Sequence, residues 1–408
     1  MNRIILIGNG FDLAHGLKTS YGDFIDWFWK KEFNELRDPK QVDADKFSCE
    51  NTFFGVSLKY STLNITRYRN FSFEEFKKEI NGFDRKYNCR IFFKNRFLEI
   101  ILNSLHLQNW VDIEEEYFTQ LKNVIDNQIV FLPDEKYTIE KLNKDFDEIK
   151  TELAKYLTKE LKKVEERNLG VASIGQTFNI ADFTSHGTSV FREEYLPKAE
   201  SEIAQYNRMF DFYLPQIETG EGNYIYCDTQ IHPSRTLFFN FNYTDLPERM
   251  KRNIDINGWQ FGDWAKGFDH IPIHGQLNDS KSPIIFGYGD EQDEVHRKIE
   301  KLGGAYLDNI KTINYLKTRS YKNLLGFVES DIYQVFIWGH SCGLSDKTLL
   351  STVFEHKNCV SIKPFYYIDK NKHNNYDDIV KNIYRCFADK KLMREKVVNK
   401  RFCEELIQ

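Results

Sequence analysis

The run Arg3-Ile4-Ile5-Leu6-Ile7, followed at once by Gly8-Asn9-Gly10, restricts the fold more than any other feature of the sequence. Ile4 to Ile7 has no polar residue to turn towards water, and three of its four members are β-branched. It therefore reads as a strand buried on both faces, the kind found in parallel sheets. Glycines directly after such a strand let the backbone come close to a phosphate, and a following helix offers free N–H groups and the positive end of its dipole. The segment Tyr21 to Lys31 carries Phe24, Trp27 and Phe28 at helical spacing. Strand, glycine turn, short loop and helix together form the opening of a nucleotide-binding unit. The dinucleotide fingerprint asks for a third glycine at position 13, where Leu13 stands, so the match is partial. Taken alone, the turn serves equally well as a tight connection that binds nothing.

The α/β character returns late in the chain. Thr236 to Asn242, Ile284 to Gly287, Gln334 to Trp338 and Ser361 to Ile368 read as strands. Residues 38 to 95 are polar and aromatic, with one expected helix at Phe73 to Ile80; Phe92 to Leu107 is expected to be helical. Leu142, Phe146, Ile149, Leu153, Leu157, Leu161 and Val164 recur every three or four residues, which predicts one long amphipathic helix. Residues 168 to 190 read as loop and Glu194 to Tyr213 as helix. These readings give an α/β chain: a Rossmann-like, doubly wound parallel sheet from residues 1–37 and 230–408, with a mainly helical insertion at 38–229.

Charge and cysteine usage narrow the function. The 408 residues carry a net charge of −5 with both signs mixed, which gives no general attraction to nucleic acid or to an anionic membrane. The seven cysteines are scattered, with no CxxC and no zinc spacing, so no metal is expected. No stretch approaches the ~20 apolar residues of a membrane helix. The expectation is a cytoplasmic protein without membrane contact.

Several constellations could carry chemistry. His274-Gly275 places an imidazole in a turn, where it can stand clear of the backbone and take a proton. An Asn side chain both donates to and accepts from a hydroxyl, which suits Asn242 to a sugar. Asp12 and His15 follow the glycine turn, Asp12 serving to cap a helix or to face a ribose. Asp112 and Glu114 are two apart before a helix, either as an N-cap with a first-turn acid or as carboxylates lining a pocket. Pro133-Asp134 with Glu148-Ile149-Lys150 spells a loose metal-nuclease pattern, although Ile149 lies on the apolar helix stripe. Gly339-His340-Ser341-Cys342-Gly343 spells a nucleophile elbow after a strand; it would need Asp346 or Asp369 and His356 or His373 as partners.

Four ordered blocks resemble the AbiH family of bacterial abortive-infection proteins. They are Ile7 to Leu17 with Thr19-Ser20-Tyr21 and Asp23-Phe24; Asn109 to Glu114; His274-Gly275 with Ile284 to Gly287 and Gly289-Asp290-Glu291; and Gly339-His340-Ser341 with Ser345-Asp346. The family is in turn similar to the SIR2-like group of NAD-binding proteins. That resemblance implies an anti-phage protein that binds and hydrolyses NAD⁺, with His274 and Asn242 catalytic. It implies ligand contacts from Gly8, Asn9, Gly10, Phe11, Asp12, Asp245, Gly339, Ser341 and Asp346. The SIR2-like strand end Asn-x-Asp is one residue longer here, at Asn242-Tyr243-Thr244-Asp245, and Asn240 is an alternative to Asn242. The four-Cys zinc site and the Pro-Asp-Phe-Arg stretch of deacetylating sirtuins are absent, which points to hydrolysis or plain binding. A non-catalytic nucleotide sensor signalling to a partner and a nucleic-acid-cleaving toxin are the alternatives. The resemblance leaves room for a phage-derived trigger and a homo-oligomer. Gly8, Asn9, Gly10, Asn242, His274 and Ser341 are expected around one concave pocket, and Gly10→Ala is expected to weaken nucleotide binding without unfolding the chain.

Overall fold

The computed structural model describes residues 1–36, 42–43, 48–58, 89–103, 110–126, 137–164, 176–195, 229, 231–261, 267–289 and 294–406. Their contacts divide the chain into two compact units: Met1–Leu17, Glu160–His296 and Ile310–Gln408 in the first, Lys18–Lys159 and Arg297–Asn309 in the second. Among the described residues the strands are β1 (Asn2–Ile7), β2 (Val42–Asp43), β3 (Ser48–Glu50), β4 (Phe54–Leu58), β5 (Cys89–Phe93), β6 (Thr236–Asn240), β7 (Phe268–Pro272), β8 (Tyr333–Trp338) and β9 (Cys359–Phe365).

The first unit is built on one parallel sheet of order β7-β6-β1-β8-β9. The apolar run at the N-terminus is its central strand, fully buried, with Ile7 level with Asn240 on one side and Trp338 on the other. Ile4, Leu6, Leu237, Phe239, Val335, Ile337 and Ile362 turn one face towards the helices Ser320–Ser330, Lys347–Phe354 and Tyr376–Cys386, making the main apolar core. The other face is not purely apolar. Arg3 lies fully buried there, hydrogen-bonded to Gln334 and to the carbonyls of Gln176 and Thr177, with its guanidinium over the rings of Phe178 and Phe336. After β6 the chain winds to β7 on one side of β1, whereas after β8 it winds to β9 on the other. The topological switch, where doubly wound sheets open a crevice, therefore falls between β1 and β8.

Two corrections concern this sheet. Ile284 to Gly287 is not a strand; it lies against the His274 turn, with Ile285 N–H donating to His274 O at 2.8 Å. The outer strand is instead β7, whose Asp269, His270 and terminal Pro272 hide it from an apolar pattern and are tolerated because only β6 pairs with it.

The second unit contains a four-stranded antiparallel sheet, β2-β3-β4-β5, in the stretch read as polar insertion; the pairings Val56↔Ile91 and Phe54↔Phe93 set its register. The helix expected from Phe92 starts at Arg96, because Asn95 Oδ1 caps it by accepting Leu98 N–H at 2.7 Å. The long amphipathic helix spans Ile139–Leu161 with its apolar stripe from Leu142 to Leu161 buried. Residues 168 to 190 are not all loop: Ser185–Val190 is helical, capped by Thr184. The helices expected at Phe73 to Ile80 and, beyond Tyr195, at Glu194 to Tyr213 lie outside the described residues.

The turns after β1 and β8 meet backbone to backbone. Gly10 N–H donates to Gly339 O at 2.9 Å. A Cβ on Gly339, whose φ is +69°, would stand 2.2 Å from Phe11 N and 2.5 Å from Gly10 C. Gly339→Ala should therefore cost roughly 3 kcal/mol of stability. Gly326→Ala, on the exposed side of the helix Ser320–Ser330 with nothing within 4 Å, should add about 1 kcal/mol. Urea unfolding of both variants checks this, and equal effects would show that the two turns can separate freely.

Candidate functional site

The loops leaving β1, β6, β7 and β8 converge at the carboxyl edge of the first unit's sheet. Asn240, the last residue of β6, accepts Asn242 N–H at 2.9 Å and donates to Thr244 O at 3.1 Å, which winds residues 240–244 into a tight turn. The turn aims Asn242 Nδ2 at Gly8 O, 2.9 Å away, and Thr244 Oγ1 at both oxygens of Asp12, at 3.0 and 2.8 Å. Asn242 and Asp12 thus tie the β6 and β1 turns together. Burial pushes the Asp12 carboxyl up to about 7, against the hydrogen bonds from Thr244 and Asn242 and helped by the charge of Asp245.

β7 delivers His274 to the same edge. Gly275, at φ +81°, lets the chain fold back so tightly that a Cβ there would stand 2.0 Å from Pro283 O. His274 Nδ1 lies 3.1 Å from Phe241 O; a carbonyl only accepts, so Nδ1 carries a proton. Nε2 meets Asp346 Oδ1 at 3.0 Å and the Tyr315 hydroxyl at 3.3 Å. The same Asp346 oxygen accepts Lys311 Nζ at 2.9 Å, and Oδ2 faces His340 Nε2 at 3.6 Å. His340 Nδ1 accepts Cys342 N–H at 2.9 Å, and the Phe241 ring packs between the two imidazoles. Lys311 is 1% exposed and His340, the most open of the charged and imidazole groups, 6%.

Burial pushes His274 down to about 4, and the Lys311 ammonium acts in the same direction; Asp346 opposes both. Burial would raise Asp346, but Lys311 and His274 hold it well below the usual carboxylate range. Among the described residues, the Lys311 ammonium therefore faces an ionised Asp346 beside a neutral His274 at neutral pH. A proton arriving at Nε2 finds Asp346 Oδ1 within hydrogen-bonding distance. A buried set of strongly perturbed groups of this kind is a hallmark of functional sites.

The structure brings together Gly8, Gly10, Asp12, Asn242, His274, Gly339 and Asp346, and the roles of several differ from the expectation. Cβ atoms on Gly8 and Gly10 would strike His340 Cα at 2.5 Å and Gly339 Cα at 2.8 Å, so the close approach these glycines permit is to the β8 turn. The N–H groups of Gly8, Gly10 and Phe11 are bonded to Trp338, Gly339 and Gly8 carbonyls. Gly10→Ala is thus a change to the fold itself, not to ligand contact alone. Phe11 is buried and stacks on Trp338, and Asn9 is half-buried at the start of the helix Asn9–Ala14. Asp245 pairs with Arg249 at 2.8 Å beside the helix Leu246–Phe261. Ser341 is exposed, its carbonyl accepting Asn382 Nδ2.

The two rival patterns do not assemble. His356 packs against Tyr333, at the amino end of β8, and His373 stands on the surface beside Asp369, so neither reaches Ser341 to complete a nucleophile elbow. Glu148 and Lys150 lie on a helix rather than a strand, where Glu148 accepts from Asn95 and Lys150 pairs with Asp147; Asp134 is outside the described residues. Asp112 is the third residue of the helix Trp110–Ile125 and not its cap; its side chain is outside the described residues, and Glu114 is buried in the second unit. Lys311 and Tyr315 were not legible in advance, since Asn309-Ile310-Lys311-Thr312 matches no motif. His340 was visible only as a spacer between Gly339 and Ser341.

The family model described as "Bacteriophage abortive infection AbiH" matches residues 4–368, nearly the whole chain. The chain belongs to the AbiH family. Its role is accordingly in abortive infection by bacteriophage. No curated protein matches it. The span of the AbiH match takes in the glycine turns and every member of the His274–Asp346–Lys311 centre. Among the described residues no helix is long and apolar enough to cross a membrane.

The raised Asp12 carboxyl has a pH signature. The folded state holds this proton more tightly than the unfolded chain, so its contribution to stability is complete below about pH 4 and is lost as pH rises through about 7. His274 works the other way, favouring the fold above its unfolded value and losing that contribution as pH falls towards about 4. Asp12→Asn removes only the first effect. Its stability relative to the parent protein should climb by up to ~1.4 kcal/mol per pH unit between pH 5 and 7. Urea midpoints across that range test it, and parallel curves would refute the buried proton.

Proposed function

We propose that this AbiH chain acts in abortive infection by hydrolysing NAD⁺ at the carboxyl edge of its parallel sheet, breaking the nicotinamide–ribose bond. The observation that carries the reading is His274: a neutral imidazole with Nδ1 fixed by Phe241 O and Nε2 backed by a carboxylate. It supports the reading because a proton taken up at Nε2 is met at once by Asp346. In the reaction the C1′–N bond breaks with its electron pair going to the pyridinium nitrogen, so nicotinamide leaves neutral and needs no acid. A water oxygen bonds to C1′, and the proton it loses is the one His274 takes up. ADP-ribose and nicotinamide are the products. Asn242 supports the reaction by holding the Gly8 carbonyl and with it the β1 turn.

The burial of every group in the centre favours one second reading, a nucleotide sensor that binds without turnover and signals to a partner. Purified protein incubated with NAD⁺, with nicotinamide and ADP-ribose followed by chromatography, separates the two. Hydrolysis that falls ~10²–10⁴-fold in His274→Ala, together with loss of protection against phage at unchanged protein level, is the expected result. Binding of NAD⁺ without product would favour the sensor. Full protection by His274→Ala would remove this centre from the mechanism altogether.

A further inference from the structure

We infer that Lys311 is a positioning residue of this centre: it neutralises Asp346 and so keeps the His274 ring uncharged and ready to take up a proton. The inference rests on the reading of His274 as proton acceptor. Its basis is a competition for one oxygen. Asp346 Oδ1 lies 2.9 Å from Lys311 Nζ and 3.0 Å from His274 Nε2, and the three groups are almost fully buried. A carboxylate there demands one positive partner. While Lys311 fills that role, a proton on His274 would be a second cation crowded against the first. Without Lys311, and among the described residues, Asp346 is left to be neutralised by a proton, taken up on its own carboxylate or on His274 at 3.0 Å.

The chain is built to deliver this lysine. Lys311 N–H donates to Tyr288 O at 2.9 Å, and Ile310 pairs with Tyr288 in a short parallel bridge. The next residue, Gly289, has no side chain where one would stand 2.6 Å from Ser345 O and 3.4 Å from Lys311 Cβ. The glycine of the Gly289-Asp290-Glu291 block thus leaves the space in which the lysine stem and the Ser345 backbone meet. Lys311 Nζ also reaches Ser345 Oγ at 3.4 Å. Four residues on, the same segment brings Tyr315 to His274 Nε2. Among the described residues, His274 therefore faces Lys311 and Tyr315 from this segment, His340 and Asp346 from the β8 loops, and Phe241 O from the β6 turn.

The test is the protonation midpoint of His274 itself, read from ring-labelled histidine NMR on the full chain and assigned with His274→Gln. Lys311→Met should move that midpoint up by roughly one to two units from about 4. Asp346→Asn should not raise it. A packing role for Lys311 alone predicts no such opposition between the two variants. An unmoved midpoint in folded Lys311→Met overturns the inference. Should Lys311→Met fail to fold, Lys311→Gln, polar but uncharged, takes its place under the same criterion, and an unmoved midpoint overturns the inference. The acid limb of NAD⁺ hydrolysis should shift in the same direction as the midpoint. If the parent protein cleaves no NAD⁺, the proposed reaction falls while the midpoint still judges Lys311.

Discussion

The contact between two bare stretches of backbone, Gly8-Asn9-Gly10 and Gly339, is the constraint on which the site depends. β1 and β8 are neighbours in the sheet, and the absence of side chains lets their turns remain in contact beyond the last ladder residue. Gly8 and Gly10 then lie directly under Gly339 and His340, which fixes the start of the loop that carries Asp346. Asn242 fastens the β6 turn to the same place through Gly8 O. This shared floor helps place side chains from loops far apart in sequence to within a hydrogen-bond length.

Two of the buried charge networks among the described residues of the first unit differ in chemistry. Arg3 and Lys363 lie on one face of the sheet, Arg3 engaged by Gln334 and main-chain carbonyls and Lys363 by Asp182 and Glu404. Among the described residues each cation there has acceptors of its own and no imidazole takes part, so the network pins strands and segments together. At the carboxyl edge, a cation and two imidazoles converge on a single carboxylate. One carboxylate oxygen shared between a lysine and a histidine leaves the position of a proton adjustable. This distinguishes a centre able to exchange a proton from a structural clasp of equal burial.

Legibility followed the strength of local pattern. The β1 run, β8 and the long amphipathic helix were plain because an unbroken or periodic apolar pattern has one reading. β7 was not, because an edge strand needs one paired side and tolerates Asp269, His270 and Pro272. The antiparallel sheet β2-β3-β4-β5 was missed because short strands, one of them just two residues long, give no period to detect. Of the centre, His274, Asn242 and Asp346 stood in recognisable blocks. Lys311 carried no signal, since its function comes from a neighbour 35 positions away, and only the folded chain makes them neighbours.

The central place of β1 has a consequence for how the protein is made. β1 pairs with Thr236–Asn240 and with Tyr333–Trp338, so it is made long before either of its neighbours. At ~5–20 residues per second this interval is on the order of tens of seconds. Throughout it, Ile4-Ile5-Leu6-Ile7 is an apolar segment with no ladder to join. Pairings so distant in sequence also slow folding after release. The nascent chain therefore keeps this apolar stretch unpaired until its distant neighbours are made.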